Sequence, residues 1–185
     1  MKICKGFFFL VLLSSLIPCA TFAQNDFCPS FAKVRQLMDE KFNSVKGAKI
    51  TESTTNYGSM IITKKIWGSK FIFPEALSAD ITEILRVAPD PRNAGHNIYI
   101  SFSLVKNSTR ALAEAAFTKA KASIKSCSPA NWKVEEHSGN TYSKIALMNG
   151  TNYDTAPMKI TLQFNKLEGP GDKYTADLIF DSAVN

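Results

Sequence analysis

TRALAEAAFTKAKASIKSC, residues 109–127, is the clearest helical pattern in the chain, and the rest of the fold is read from it. At 3.6 residues per turn, Leu112, Ala113, Ala116, Phe117, Ala120, Ile124 and Cys127 share one face, opposite Glu114, Thr118, Lys121 and Lys125. Asn107, Ser108 and Thr109 offer side-chain oxygens to cap its start, and Pro129 cannot continue it. The small alanines suit close approach to a second layer, so the apolar face is read as core.

A second helical pattern opens at Cys28-Pro29, with Cys28 expected as the capping residue and Gly47 as the stop. Phe27, Phe31, Val34, Met38, Phe42 and Val45 line its apolar side. Each helix is followed by the same order of elements. KITESTTNYGSMIITKKIW (49–67) aligns without gaps with KVEEHSGNTYSKIAL (133–147), matching Lys49 to Lys133, Glu52 to Glu136, Asn56 to Asn140 and Ile61 to Ile145. Second hairpins then follow, ITEILRV (81–87) with NIYISFSLV (97–105), and MKITLQF (158–164) with YTADLIF (174–180). Strict alternation puts Ile98, Ile100, Phe102 and Leu104 on one face of their strand. The same holds for Ile160, Leu162 and Phe164, and for Ala176, Leu178 and Phe180. In the 81–87 strand Glu83 breaks the pattern by falling among the apolar positions.

These readings predict an α+β fold. Two antiparallel helices cover one face of an antiparallel sheet of about eight strands, built as a pseudo-duplicated αββββ unit. Residues 24–185 form a single domain with halves 24–108 and 109–185. The insertion Ser69–Ala79 holds Phe71, Ile72 and Phe73 next to Trp67, and is read as cover for the core rather than as a contact patch.

The first 23 residues, MKICKGFFFLVLLSSLIPCATFA, have a basic start, an apolar run and a small-residue end, the pattern of a secretory signal peptide. The apolar run is short for a membrane span, and no later stretch of the sequence could cross one. A secreted or periplasmic location follows, and cleavage after Ala23 leaves Cys28 and Cys127 as a single structural disulfide. Losing Lys2 and Lys5 leaves 20 Lys+Arg against 16 Asp+Glu, a net charge of +4. That mild excess suits an acidic partner or an anionic envelope polymer; with no basic run interleaved with aromatics, nucleic acid is not expected.

Motifs for chemistry are sparse. No serine sits in a GxSxG turn and no glycine-rich phosphate loop opens either helix. Glu135 and His137 share a strand face, but zinc wants three or four protein ligands and no third is evident. No metal or cofactor is therefore expected. Glu52 and Glu136 occupy equivalent positions and could meet across a pseudo-two-fold as a carboxylate pair. Asn107-Ser108-Thr109 and Asn149-Gly150-Thr151 match the N-glycosylation acceptor pattern.

The polar sides of the alternating strands are more informative. A sheet with helices on one side leaves its other side wet, and here that side carries Tyr99, Ser101, Ser103, Thr161, Gln163 and Thr175. This hydroxyl-rich face is the expected binding surface. It points to a non-catalytic binding or inhibitor-like protein with a protein or envelope-polymer partner. Tandem-repeat inhibitors that grip enzymes with a concave sheet have a comparable layout, without a shared motif. A small envelope enzyme acting on a polymer, or a structural envelope component, is the alternative.

Overall fold

The computed structural model describes residues 26–152 and 156–184. The signal-peptide reading falls outside the described residues. Helix α1 (Phe27–Asp39) buries Phe27, Phe31, Val34, Leu37 and Met38, an i, i+4, i+7 stripe. It starts two residues earlier than expected, with Asp26 at the N-cap position but making no side-chain capping bond, so that Cys28 lies inside its first turn. It also stops earlier. Lys41 and Phe42 both take left-handed backbone angles (φ 53° and 56°), and the Phe42 amide closes the turn by donating to Leu37 O over 2.8 Å. Gly47 has a different duty. A Cβ there would stand 2.7 Å from Gly68 O, so the glycine allows two adjacent strands to approach.

Four strands follow, β1 (Lys46–Tyr57), β2 (Met60–Ser69), β3 (Ser78–Val87) and β4 (Gly95–Ser108). Helix α2 (Arg110–Cys127) is capped by Thr109, whose side chain accepts from the Leu112 amide. It leads to β5 (Lys133–Ser138), β6 (Tyr142–Met148), β7 (Met158–Lys166) and β8 (Tyr174–Val184). The strands form one antiparallel sheet of eight, in the order β1-β2-β3-β4-β8-β7-β6-β5. Two meanders thus meet at a β4–β8 seam. The order is symmetric about that seam, which is a property of layout and does not establish a shared origin for the halves.

The expected alternation sets the core. Ile98, Ile100 and Phe102 of β4, Ile160, Leu162 and Phe164 of β7, and Ala176, Leu178 and Phe180 of β8 are buried beneath the helices. Helix α2 packs on β4, β7 and β8, and α1 packs on α2 and β8. Over the seam the rings of Phe73, Phe102 and Phe180 cluster, with Phe31 5.4 Å from Phe180 and Phe27 4.8 Å from Phe73. The Ser69–Ala79 insertion is core cover, as read. Phe73 is fully buried and Trp67 and Phe71 pack against the cluster, while Ile72 alone among these points to solvent. Leu112 departs from expectation. It sits in the first turn of α2 and is 60 % exposed, while its neighbour Ala113 is fully buried.

Cys28 and Cys127 are bonded, joining the first turn of α1 to the last residue of α2 across 99 positions of sequence. Opposite ends of the two helices are thereby held together, as an antiparallel pair requires. The helices do not cover everything. β1 is exposed along nearly its whole length, and Ile61, Leu85 and Val87 stand uncovered on the helix side of β2 and β3.

Candidate functional site

The strand register places all six sequence-derived binding residues on the helix-free face. Opposite neighbours run in rows across the sheet. One row contains Thr82, Tyr99, Asp181 and Lys159. The next contains Asp80, Ser101, Ile179 and Thr161, and the third Ser78, Ser103, Asp177 and Gln163. Thr175 lies two residues before Asp177 on β8, hence on the same face.

The face is not uniformly open. Thr161 is only 6 % exposed, sunk between the neighbouring Ala146 and Ile179, so it forms floor rather than contact surface. Thr82, Ala146 and Met148 are likewise buried on this side. Tyr99, Ser101, Ser103, Gln163 and Thr175 keep partial access to solvent.

A groove of about 370 Å³ crosses β3, β4 and β8 on this face, and Ser101, Ser103 and Thr175 line it together with Ser78, Asp80 and Asp177. Two irregularities in β4, between Ser103 and Val105 and between Val105 and Ser108, shape its end and bring Lys106 and Asn107 to the rim. Asn107 adopts φ 52°, a conformation asparagine tolerates better than most residues. Asn107 is also the first acceptor asparagine noted above, so that acceptor stands at the mouth of the groove.

The groove has a definite polarity. Burial pushes the Asp177 carboxyl above its ordinary range, while hydrogen bonds from Ser103 and Thr175 and the charge of Lys106 pull it back. Thr175 Oγ1 lies 3.1 Å from Asp177 Oδ2 and 2.8 Å from Val105 O, so its single proton serves one acceptor at a time. Asp80, by contrast, is exposed and forms no ion pair among the described residues. Two rows along, burial raises Asp181 in the same way, opposed by Lys159, Asn97 and Arg86. Its Oδ1 has no hydrogen-bond partner, and Lys159 stands 3.8 Å from Oδ2. Sequence reading missed Ser78 and Asp80 because β3 begins three residues before Ile81. Extending the alternation backward through Ala79 would have found them.

A second, larger hollow of about 710 Å³ lies where the β3–β4 loop meets the β1–β2 turn. Its two arginines are already engaged, Arg92 with Asp90 at 2.7 Å and Arg86 with Asn97 at 2.5 Å. It offers less uncommitted chemistry than the hydroxyl-lined groove.

The proposed carboxylate pair does not form. β1 and β5 are the two outer edges of the sheet, so seven interstrand steps of about 4.8 Å separate Glu52 from Glu136, roughly 33 Å in all. Each is neutralised locally. Lys49 at 2.7 Å, with Lys65 beyond it, holds Glu52 below the usual carboxylate range. Lys121 and Lys125 of α2 do the same for Glu136. Glu135 is bonded first to Lys133 at 2.8 Å, with His137 4.0 Å away, and no group of three or more His, Cys, Asp or Glu able to hold a metal occurs among the described residues. Lys41 Nζ donates to Ser182 Oγ over 2.9 Å, which resembles an activated serine, but Ser182 is wholly buried. That contact fastens the end of α1 to β8. No family model, curated protein or solved structure matches the chain.

Proposed function

We propose that the chain is an exported, disulfide-stabilised, non-catalytic binding protein of the inhibitor-like kind, which engages a protein partner or an envelope polymer through the helix-free face of its sheet. The observation that supports this reading best is the groove across β3, β4 and β8, where hydroxyls of Ser78, Ser101, Ser103 and Thr175 converge with two carboxylates. Such a surface offers both donors and acceptors on a rigid strand scaffold. Strand-borne side chains lose little further freedom when a partner docks, which favours recognition. The Cys28–Cys127 bridge fits an oxidising compartment.

The test is capture by the oxidised chain from Gln24 onward, using envelope and culture-fluid fractions, with Ser101→Arg as the control. Ser101 is central in the groove and only partly covered, so arginine blocks the surface without entering the core. A stoichiometric partner retained by the parent and lost from Ser101→Arg, at unchanged melting temperature, is the expected result. Equal capture by both proteins would move the binding surface elsewhere. Turnover of an envelope polymer by the purified chain would replace the binding reading with the enzymatic one.

A further inference from the structure

We infer that β1 is an association edge, through which a second copy of this chain pairs to extend the sheet across a two-fold axis. The two edges of the sheet differ sharply in protection. β5 is short, six residues, and carries Lys133, Glu135, Glu136 and His137, with Glu136 clasped by two lysines from the overlying α2. Charge density and brevity are the usual defences of an exposed edge. β1 has 12 residues, and from Ala48 onward every one of them is exposed. Its bulged beginning, where the register slips between Lys46 and Thr51, is defended in its own way. From Thr51 to Tyr57 the strand is regular, β-branched at Thr51, Thr54 and Thr55, free of proline and glycine, and charged only at Glu52. Every second residue there turns its N–H and C=O away from β2.

The second copy is favoured as occupant because this segment is self-complementary. A two-fold through Thr54, normal to the sheet, sets Thr51 against the second copy's Tyr57, Glu52 against its Asn56 and Ser53 against its Thr55. No like charges oppose each other, and each copy's helices stay on the same side. Glu52 is already compensated by Lys49 and Lys65 of its own chain, so it brings no bare charge to the seam. At the axis Thr54 meets its own copy. Thr54 Oγ1 is 3.2 Å from Thr63 Oγ1 in the single chain, so pairing extends that contact into a four-threonine ladder. Tyr57, 61 % exposed, then lies over Thr51 of the other copy. Seven paired residues make a contact at the small end of the range for specific interfaces, so association is concentration-dependent.

Sedimentation velocity on the oxidised chain over a wide concentration range tests this directly, with the binding groove uninvolved. A monomer–dimer equilibrium is expected. Thr54→Lys puts like charges at the axis and should weaken the dimer about fivefold or more. Thr54→Glu alone should do the same, and an equimolar mixture of the two should restore dimer, detected as the heterodimer by native mass spectrometry. A chain monomeric at every concentration overturns the inference, as does a dimer indifferent to both substitutions. A mixture that fails to restore association, while both variants melt as the parent does, overturns the two-fold register. Loss of partner capture in Ser101→Arg leaves this outcome untouched, so the two readings fail separately.

Discussion

Single residues on β8 show how the helix-free face trades stability for readiness. Asp177 and Asp181 are held where burial disfavours their charged forms, so their folded-state titration lies above that of the unfolded chain. A group shifted this way contributes stability below its unfolded pKa, near 3.9 for aspartate, and loses it as pH rises through the folded value. At neutral pH both carboxylates therefore tax the fold. Asp177→Asn keeps the shape and an acceptor for Ser103 and Thr175 while removing the charge. We expect a higher melting temperature than the parent at pH 7 and convergence of the two near pH 3, followed by calorimetry across that range. A lower melting temperature at pH 7 would mean that the hydrogen bonds to the carboxylate outweigh its burial. Lys41 illustrates the opposite balance. Its strained backbone is held by the buried ring of Phe42 and by Nζ hydrogen bonds to Ser182 Oγ and Ala183 O, both 2.9 Å. Lys41→Met keeps the strain and deletes both bonds, and should cost about 1–3 kcal/mol in urea unfolding.

At the scale of elements, the disulfide does what no hydrogen bond in the molecule can. It closes a loop spanning 99 sequence positions and fixes the end of α2 to the start of α1. The double variant Cys28→Ser, Cys127→Ser should lose about 2–5 kcal/mol in guanidinium unfolding, with the native chain otherwise intact. A loss below about 1 kcal/mol would show that helix packing alone sets the geometry. The pairing was legible because only two cysteines lie beyond residue 23, and two admit only one connectivity. The strands were legible too, since Ile98-Ile100-Phe102 and Leu178-Phe180 alternate without interruption. Glu83 looked like an error in that pattern, and the structure gives its reason. It does lie on the helix side, but beyond the helices, where His96 at 2.5 Å and Lys46 at 3.8 Å accompany it. Gly47 misled because a glycine after a helix and a glycine at a strand contact look alike in sequence. The strand order is a long-range property, decided by which edges meet. The sequence alone therefore left Glu52 and Glu136 free to be neighbours. For the same reason Ser101 and Thr161 looked equally accessible, although only the structure shows which is floor.

For the whole molecule the decisive feature is that neither half owns its core. The α1 helix belongs to the first half yet packs on β8, and α2 belongs to the second yet packs on β4. The phenylalanine cluster at the seam draws Phe31, Phe73 and Phe102 from one half and Phe180 from the other. Separating the chain at residue 108 would strip both helices of part of their floor and expose the full length of two central strands, a template for aggregation. Burial of this kind is shared rather than additive, so unfolding should be a single cooperative transition. Phe180→Ala, which empties the middle of the cluster, should then cost about 3–5 kcal/mol and shift that one transition as a unit. Expressed alone, fragments 24–108 and 109–185 should show no cooperative melting by circular dichroism. A sigmoidal transition in either fragment, or two resolved transitions in the intact chain, would mean that each αββββ half is a domain in its own right. The seam would then be an interface between two domains, and Phe180→Ala would move only one of the two steps.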